Sequence, residues 1–430
     1  MTAPMRKGWC PSLLKPMESG DGFLARVKPT AATLSANAAR ALAEAAMRFG
    51  NGLVDVTNRS NLQFRGFSLD SIAPFADVVF RHGLAHDSAP VEQVRNVAAS
   101  PLGADDPSAA FDAHLAARAI EAMLAATPEV RALPPKFGFS VDGGGASPLG
   151  DVGADVLIVP GPTGVAVRLA GSTLAAECAE GDIPSAARAV ALAFLDLAGT
   201  QPEPPRRMRH LIEVLGPEAV FAKAGLMPAG QEQPVARSAP RIGYGDLGKG
   251  TGFFAVGVPF GTLEVSALAQ LADFSEEFGN GTIRLTPWRS LVLVGIAPEA
   301  ADALAEAVAC SGLLTDPADP RLAIVACPGK PACESATVAT RADAARLAAS
   351  GVLDDVSDAT VHVSGCAKGC AHPRPATLTL SGRNGAYDVI LNGRADAAEK
   401  AGADAAPHFS GLDLEGVIAV LATAPWSKPR

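Results

Sequence analysis

FGNGLVDVTNRSNLQFRGF at residues 49–67 and FGNGTIRLTPWRSLVLVGI at residues 278–296 are two versions of one pattern. In each, the tetrad Phe-Gly-Asn-Gly leads into alternating β-branched and polar residues, a Thr…Arg…Ser cluster and a second alternating run. Upstream, GDGFLARVKPT (residues 20–30) and GTGFFAVGVPFGT (residues 250–262) alternate in the same way, and a helix-like stretch joins each to its tetrad. Alternation with period two predicts strands, and apolar residues three and four apart predict helices. Each copy therefore reads strand, helix, strand and a further helix (residues 72–82 and 300–311), an α+β half-domain of ferredoxin-like type.

The segments after each copy also correspond. VRNVAASPLGADDP, an alanine-rich helix, KFGFSVDGGG and ADVLIVPGPTGVAVRLAG fill residues 94–171; LAIVACPGKPACES, a shorter helix, ATVHVSGCAKGC and ATLTLSGRNGAYDVILNG fill residues 322–393. Both read as strand, loop, helix, strand, glycine-rich loop and β-hairpin, with turns at PGPTG and GRNG. The expected organisation is a ferredoxin-like half-domain A (1–90), an α/β lobe A (91–198), a proline-rich linker (199–240), a half-domain B (241–316) and a lobe B (317–430), related by a pseudo-two-fold axis. Clefts form between domains, so a ligand site is expected where the lobes meet.

The chain has 430 residues, a formal net charge of −9 and a pI near 5.4. That balance argues against nucleic acid or a membrane surface as a partner, and an anionic ligand must find local arginines and lysines. No run reaches the length of a membrane span, and the N-terminus lacks a signal-peptide apolar stretch, so a cytoplasmic address is expected. Seven cysteines without a framework spacing fit reduced thiols better than disulfides.

Four of them, Cys327 and Cys333 in ACPGKPACESA and Cys366 and Cys370 in VSGCAKGCAHP, form a C-x5-C and a C-x3-C pair on Gly/Pro-rich loops. Four soft ligands of this kind can surround a 4Fe-4S cluster, one thiolate per iron. A structural zinc is the other reading, although zinc loops favour C-x2-4-C spacing. Cys178 and Cys310 read as buried small residues, and Cys10, between Trp9 and Pro11, as packing.

These motifs together resemble the sulfite/nitrite reductase superfamily over essentially the whole chain. The resemblance implies that Cys327, Cys333, Cys366 and Cys370 ligate a 4Fe-4S cluster, with Cys370 facing a tetrapyrrole pocket. TNRSNLQFRG is similar to the family's T-x-R-x-x-x-Q segment and implies Arg59 and Gln63 at that pocket. VRNV and LPPKFGFSV likewise imply Arg95 and Lys136, so that Arg59, Arg95 and Lys136 carry catalytic or substrate-binding roles. Arg289, read as the counterpart of Arg59 in the second copy, is a further substrate-binding candidate. Where sulfite-reducing members carry a second lysine, this chain has Gly138.

The opening GWCPSLLKPMESGDGFLARVKP and the two cysteine loops resemble most the precorrin-3B synthase branch. That resemblance implies an oxidoreductase, a monooxygenase of aerobic cobalamin biosynthesis, that hydroxylates precorrin-3A with dioxygen and closes a γ-lactone. It implies electrons from an external donor, a ferredoxin or a reductase, and a mononuclear non-haem iron whose ligands the sequence does not specify. The alternative is an assimilatory sulfite or nitrite reductase with bound sirohaem, a haem-binding protein in the broad sense.

Other motifs carry less. His82 and His86 have a helical i, i+4 spacing suited to metal binding, but Gly83 between them ends the helix, so His82 reads as a contact to the helix dipole. His362 and His372 flank the second cysteine pair, and Lys330 and Lys368 lie inside the loops. GYGDLGKGTG (residues 243–252) nearly matches a phosphate loop, yet the duplication makes it a strand-entry loop.

Overall fold

A computed structural model describes residues 11–150, 152–162, 164–231, 242–354, 359–397 and 407–423. Cys10 lies outside the described residues. Half-domain A runs β1 (Met17–Ser19), β2 (Gly22–Val27), β3 (Thr33–Ser35), α1 (Ala36–Phe49), β4 (Leu53–Val56), β5 (Leu62–Phe67) and α2 (Leu69–Arg81). Lobe A runs α3 (Ala89–Val94), β6 (Val97–Ala99), α4 (Ala113–Ala126), β7 (Phe139–Val141), β8 (Val156–Gly161), β9 (Gly164–Leu169), β10 (Leu174–Cys178) and α5 (Ile183–Gly199), and continues with α6 (Met208–Leu215), α7 (Pro217–Ala224) and β11 (Pro228–Gln231). Half-domain B repeats the first with β12 (Gly243–Asp246), β13 (Gly252–Gly257), β14 (Thr262–Glu264), α8 (Val265–Phe278), β15 (Thr282–Leu285), β16 (Ser290–Ile296) and α9 (Ala301–Cys310). Lobe B has β17 (Ile324–Ala326), α10 (Thr340–Ala349), β18 (Val361–Ser364), β19 (Ala376–Arg383), β20 (Ala386–Gly393), β21 (Phe409–Leu412) and α11 (Leu414–Thr423).

The repeated tetrad has a physical cause. A Cβ on Gly50 would stand 2.6 Å from Arg65 O, and one on Gly279 would stand 2.5 Å from Val294 O, so the helix end can meet the neighbouring strand only through glycine. The second glycine of each tetrad takes a positive φ, +75° at Gly52 and +74° at Gly281, which reverses the chain into β4 and β15 at no steric cost. Ser35 caps α1 by accepting from Ala38 N.

The two half-domains exchange strands. β14 pairs antiparallel with β4, and β3 pairs antiparallel with β15, giving two five-stranded sheets in the orders β1-β2-β5-β4-β14 and β12-β13-β16-β15-β3. Buried side chains from both halves, among them Leu34, Leu42, Phe64, Leu268 and Leu293, form one shared core. Each lobe is a mixed sheet: β6, β7 and β8 run parallel before the β8-β9-β10-β11 meander, and β17, β18 and β19 run parallel before β20 and β21. α4 and α10 are the crossovers between the first two parallel strands of each lobe.

The α+β architecture of duplicated ferredoxin-like half-domains with two α/β lobes is the one expected. Residues 199–231 differ from the expected linker, and the rest of that segment, residues 232–240, lies outside the described residues. α6 and α7 bury Met208, Leu211, Val220 and Phe221 in the core of lobe A, and β11 extends its sheet beside β10. Proline and charge mask two short amphipathic helices here, and Arg207 fixes their start through the buried Asp155 carboxylate at 3.0 Å. Cys178 sits half-buried at the end of β10 rather than on a helix, and Cys310 is exposed at the end of α9.

Candidate functional site

The cysteine loops follow the C-terminal ends of two adjacent parallel strands, β17 and β18, which brings sequence-distant thiols to one end of lobe B. Gly365 N donates to Cys327 Sγ at 3.1 Å, Thr337 N donates to Gly365 O, and Lys368 Nζ donates to Ser335 Oγ at 2.9 Å, so the loops are tied to each other. Thr340, at the start of α10, donates its hydroxyl to Cys327 O. Burial pushes the Cys366 thiol up, and the charges of Cys370, Cys327 and Cys333 push in the same direction, so the four sulfurs share one electrostatic neighbourhood. Among the described residues no three His, Cys, Asp or Glu side chains close on a single metal-ion position.

Half-domain A faces these loops. A Cβ on Gly20 would stand 2.6 Å from Pro331 O, which measures how closely the β1–β2 turn approaches the first loop. Ser19 Oγ and Arg65 Nη2 both donate to Ala332 O, at 2.6 and 3.0 Å. Arg65 is only 2% exposed; burial opposes its charge, but hydrogen bonds to Asp21 and the Asp55 carboxylate hold its pKa above the usual range. Between sheet and loops lies a cavity of about 630 Å³. Small-molecule sites span roughly 300–1,000 Å³. Its wall carries Arg26, Arg65, Lys136, Lys368 and Arg394 against the carboxylates of Glu18, Glu334 and Asp396, an excess of positive charge in an acidic protein.

The structure brings most of the sequence-derived candidates to this region. Cys333, Cys370, Gln63 and Lys136 line the cavity. Lys136 also borders a smaller chamber of about 30 Å³ that holds Arg59 with Asn58, Asn61 and Asn96. Gly138 lies there as well, where a Cβ would meet Asn96 O at 3.3 Å. Gln63 accepts from Arg26 Nη2 at 3.0 Å.

Arg95 does not reach the pocket. Its guanidinium is buried between Glu92 and Glu121, at 2.9 and 3.1 Å, and Asn96 takes the chamber-facing position instead. Arg95 lies ahead of β6, on the opposite strand end from the loops that correspond to the cysteine loops, and its own helix supplies Glu92 three residues back. Arg289 is also not the counterpart of Arg59. The turns Thr57–Asn61 and Thr286–Ser290 share the same hydrogen bonds, and Ser60 (φ 54°) and Arg289 (φ 59°) hold the same left-handed position. Trp288 therefore matches Arg59, while Arg289 points to the second cysteine loop and donates to Ala371 O at 2.7 Å.

His82 caps the C-terminus of α2, and His86 accepts from Ser88 N through Nδ1. His372 lines the cavity, with its ring 5.7 Å from that of His362, whose two nitrogens are buried without a hydrogen-bond partner among the described residues. Lys330 is exposed. Residues 243–252 form the β12–β13 hairpin, with no helix behind the glycines.

Arg26, Arg65 and Arg394 were not anticipated, yet the duplication contains the signal for two of them. Strand pairing aligns Arg26 with Ala255, Gln63 with Val292 and Arg65 with Val294. In the second copy these positions, with Phe253 and Leu102, form a closed apolar cluster. One sheet face is plugged by hydrophobic side chains; its duplicate is polar, charged and open.

The Nitrite/Sulfite reductase ferredoxin-like half domain matches residues 15–78 and 246–309, one match per copy. The chain is 35% identical to a precorrin-3B synthase of Sinorhizobium sp., over 94% of this chain and 86% of that protein. It is 26% identical to a ferredoxin–nitrite reductase of Synechococcus elongatus, over 96% and 88%. The solved structure of the Mycobacterium tuberculosis NirA protein superposes with a TM-score of 0.71 at 23% identity, covering 86% of this chain and 74% of that one, and shares the fold. No helix among the described residues is long and apolar enough to cross a membrane.

Proposed function

Because this chain belongs to the family of precorrin-3B synthase and the nitrite and sulfite reductases, we propose that it is an oxidoreductase that converts precorrin-3A to precorrin-3B. One oxygen atom of O2 enters the product as a hydroxyl group and the other leaves as water, with two electrons and two protons from outside; an acetate side chain closes the γ-lactone by adding its carboxyl oxygen and proton across a ring double bond, so that no group leaves. The observation that carries the reading is the cavity of about 630 Å³, walled by basic side chains on one side and by two cysteine loops on the other. A tetrapyrrole fringed with carboxylates matches such a wall, since arginine forks pair carboxylates in bidentate fashion.

Cys327, Cys333, Cys366 and Cys370 would hold a 4Fe-4S cluster. The donor set fits: four free thiols, three of them within electrostatic reach of the fourth, Cys366, and one already accepting a backbone N–H, supply one soft ligand per iron. When bound, such a cluster passes single electrons. Arg26, Lys136, Lys368 and Arg394 orient the substrate's carboxylates over the cysteine loops. Arg59 lines the smaller chamber beside it with Asn58, Asn61 and Asn96, whose amide is itself held by the backbone carbonyls of Gln93, Pro135 and Phe137. An external donor such as a ferredoxin supplies the electrons, in keeping with the ferredoxin dependence named for the nitrite reductase relative.

The test is protein purified without oxygen, followed by its absorption spectrum, iron and sulfide content, and turnover of precorrin-3A with a reduced ferredoxin. Expected are about four iron and four sulfide per chain, no stoichiometric tetrapyrrole bands, and product only when oxygen is admitted. Cys366→Ser should lose both the iron and the paramagnetic signal of the reduced protein. Stoichiometric sirohaem in the isolated protein, with sulfite or nitrite reduction, would overturn the reading in favour of a reductase.

A further inference from the structure

The buried carboxylate of Asp55 on β4 accepts from Arg65, Arg341 and the Gln63 amide, and a third arginine, Arg289, lies within its electrostatic reach. Arg65 on β5 donates Nη1 to Asp55 Oδ2 at 3.4 Å, and Arg341 on α10 donates Nη2 to Asp55 Oδ1. Arg289, in the turn before β16, lies within the electrostatic reach of both: burial holds its pKa below the usual range, Asp55 draws it back up and Arg341 pushes it further down. Each arginine leads to a cysteine loop. Arg65 donates to Ala332 O beside Cys333, and Arg289 donates to Ala371 O beside Cys370. Arg341 follows Thr340, whose hydroxyl holds Cys327 O.

We propose that Asp55 is a positioning residue for the metal centre: one carboxylate of half-domain A balances the three arginines that fix both cysteine loops, and so sets how firmly the loops retain a cluster and at what potential it is reduced. This rests on the proposed reading of the four cysteines. Guanidinium groups crowded in a low-dielectric region repel strongly unless a counter-charge stands among them. Without Asp55, Arg65 keeps the Asp21 carboxylate, at 2.8 and 2.9 Å. Arg341 loses its ion-pair partner, and Arg289 loses the nearby carboxylate that offsets its burial. Arg341, 19% exposed, has a way out to water, and its departure would loosen the start of α10 and with it Thr340.

The duplicated half shows that this charge belongs to the cysteine side. Asp55 pairs with Gln63 as Arg284 pairs with Val292, so the equivalent position in the second copy carries the opposite charge and binds Asp105 instead.

The experiment uses the full chain, loaded anaerobically with iron and sulfide, as wild type, Asp55→Asn, Asp55→Glu and Arg341→Gln. Read out are iron and sulfide per chain, the rate of iron loss to a chelator, and the reduction potential from the paramagnetic signal. Partners that orient metal ligands are worth about 10–100-fold in metal retention. Asp55→Asn should lose iron at least tenfold faster and be reduced at a more positive potential, because a negative charge near the centre is gone. Asp55→Glu should restore the potential, which a change of packing alone would not do. Arg341→Gln, which breaks one limb only, should speed iron loss and serves if Asp55→Asn fails to fold. Wild-type protein that takes up no iron and sulfide removes the underlying reading and this inference with it. A wild type that loads normally, beside Asp55→Asn and Arg341→Gln variants with unchanged release rate and potential, overturns this inference alone.

Discussion

Arg95→Met separates the sequence expectation for this residue from the structural one. The methionine keeps an apolar stem of similar length but removes the charge between Glu92, fully buried, and Glu121, 7% exposed. Breaking one side of a buried ion pair costs about 3–5 kcal/mol, because a carboxylate is left without its counter-charge. Both acids keep other donors: His86 N at 3.0 Å on Glu92, and Ala31 N at 3.4 Å on Glu121. The loss therefore falls near the lower end, about 3 kcal/mol, or two orders of magnitude in the opening equilibrium of lobe A. Amide hydrogen exchange reads this locally, so amides of α4 and β7 should exchange about a hundredfold faster than in the wild type. Burial already holds the Glu121 carboxyl above its usual range although Arg95 draws it down, and removing Arg95 lets it rise further. A carboxyl whose folded value exceeds its unfolded one favours the fold while protonated and loses that contribution as pH rises through the folded value. The deficit of the variant is therefore largest at neutral pH and narrows in mild acid. Unchanged exchange together with weakened tetrapyrrole binding would refute the reasoning and return Arg95 to the pocket.

Arg59→Ala should weaken tetrapyrrole binding about tenfold or more, the worth of a hydrogen bond to a charged group, with iron and sulfide content unchanged; wild-type affinity by titration would exclude Arg59 from the site. His114 is held down to about 4, by burial first and by the Arg284 charge second, so it stays neutral in the fold while the unfolded chain takes up a proton below 6.5. Stability is then lost as pH falls from 6.5 toward 4, and His114→Leu should show a smaller drop in melting temperature between pH 7 and pH 5; equal drops would contradict this. Gly329 has φ +66°, and a Cβ there would stand 2.3 Å from Thr340 Oγ1. Gly329→Ala should strain the first cysteine loop by about 1–3 kcal/mol and lower the iron retained per chain, while normal loading would show that the loop tolerates the change.

Much of the fold is legible because its signals are local and occur twice. The Phe-Gly-Asn-Gly tetrad marks a helix end and a chain reversal wherever it stands, so two copies with the same flanks report two half-domains. The cysteine pairs are legible for a similar reason: each lies in one short loop, and a parallel βαβ unit brings two such loops to the same end of a sheet. The strand exchange of β3 and β14 has no such signature, because the partner strand lies more than two hundred positions away. α6 and α7 were hidden by their prolines and charges, with too few turns for a periodicity to stand out.

By itself, then, the sequence determined the duplication, the α+β architecture and the four thiols, all of which follow from backbone conformation and spacing within short segments. Tertiary structure alone decided which charged side chains reach the cavity. Arg95 and Asn96 are neighbours in the chain, yet one is buried between two glutamates and the other lines the chamber. Arg65 and Val294 hold equivalent positions, yet one lines the cavity and donates to a cysteine loop while the other fills an apolar cluster. A side chain's role here depends on which strand end and which sheet face the other half of the molecule covers, and that is a property of packing between distant segments.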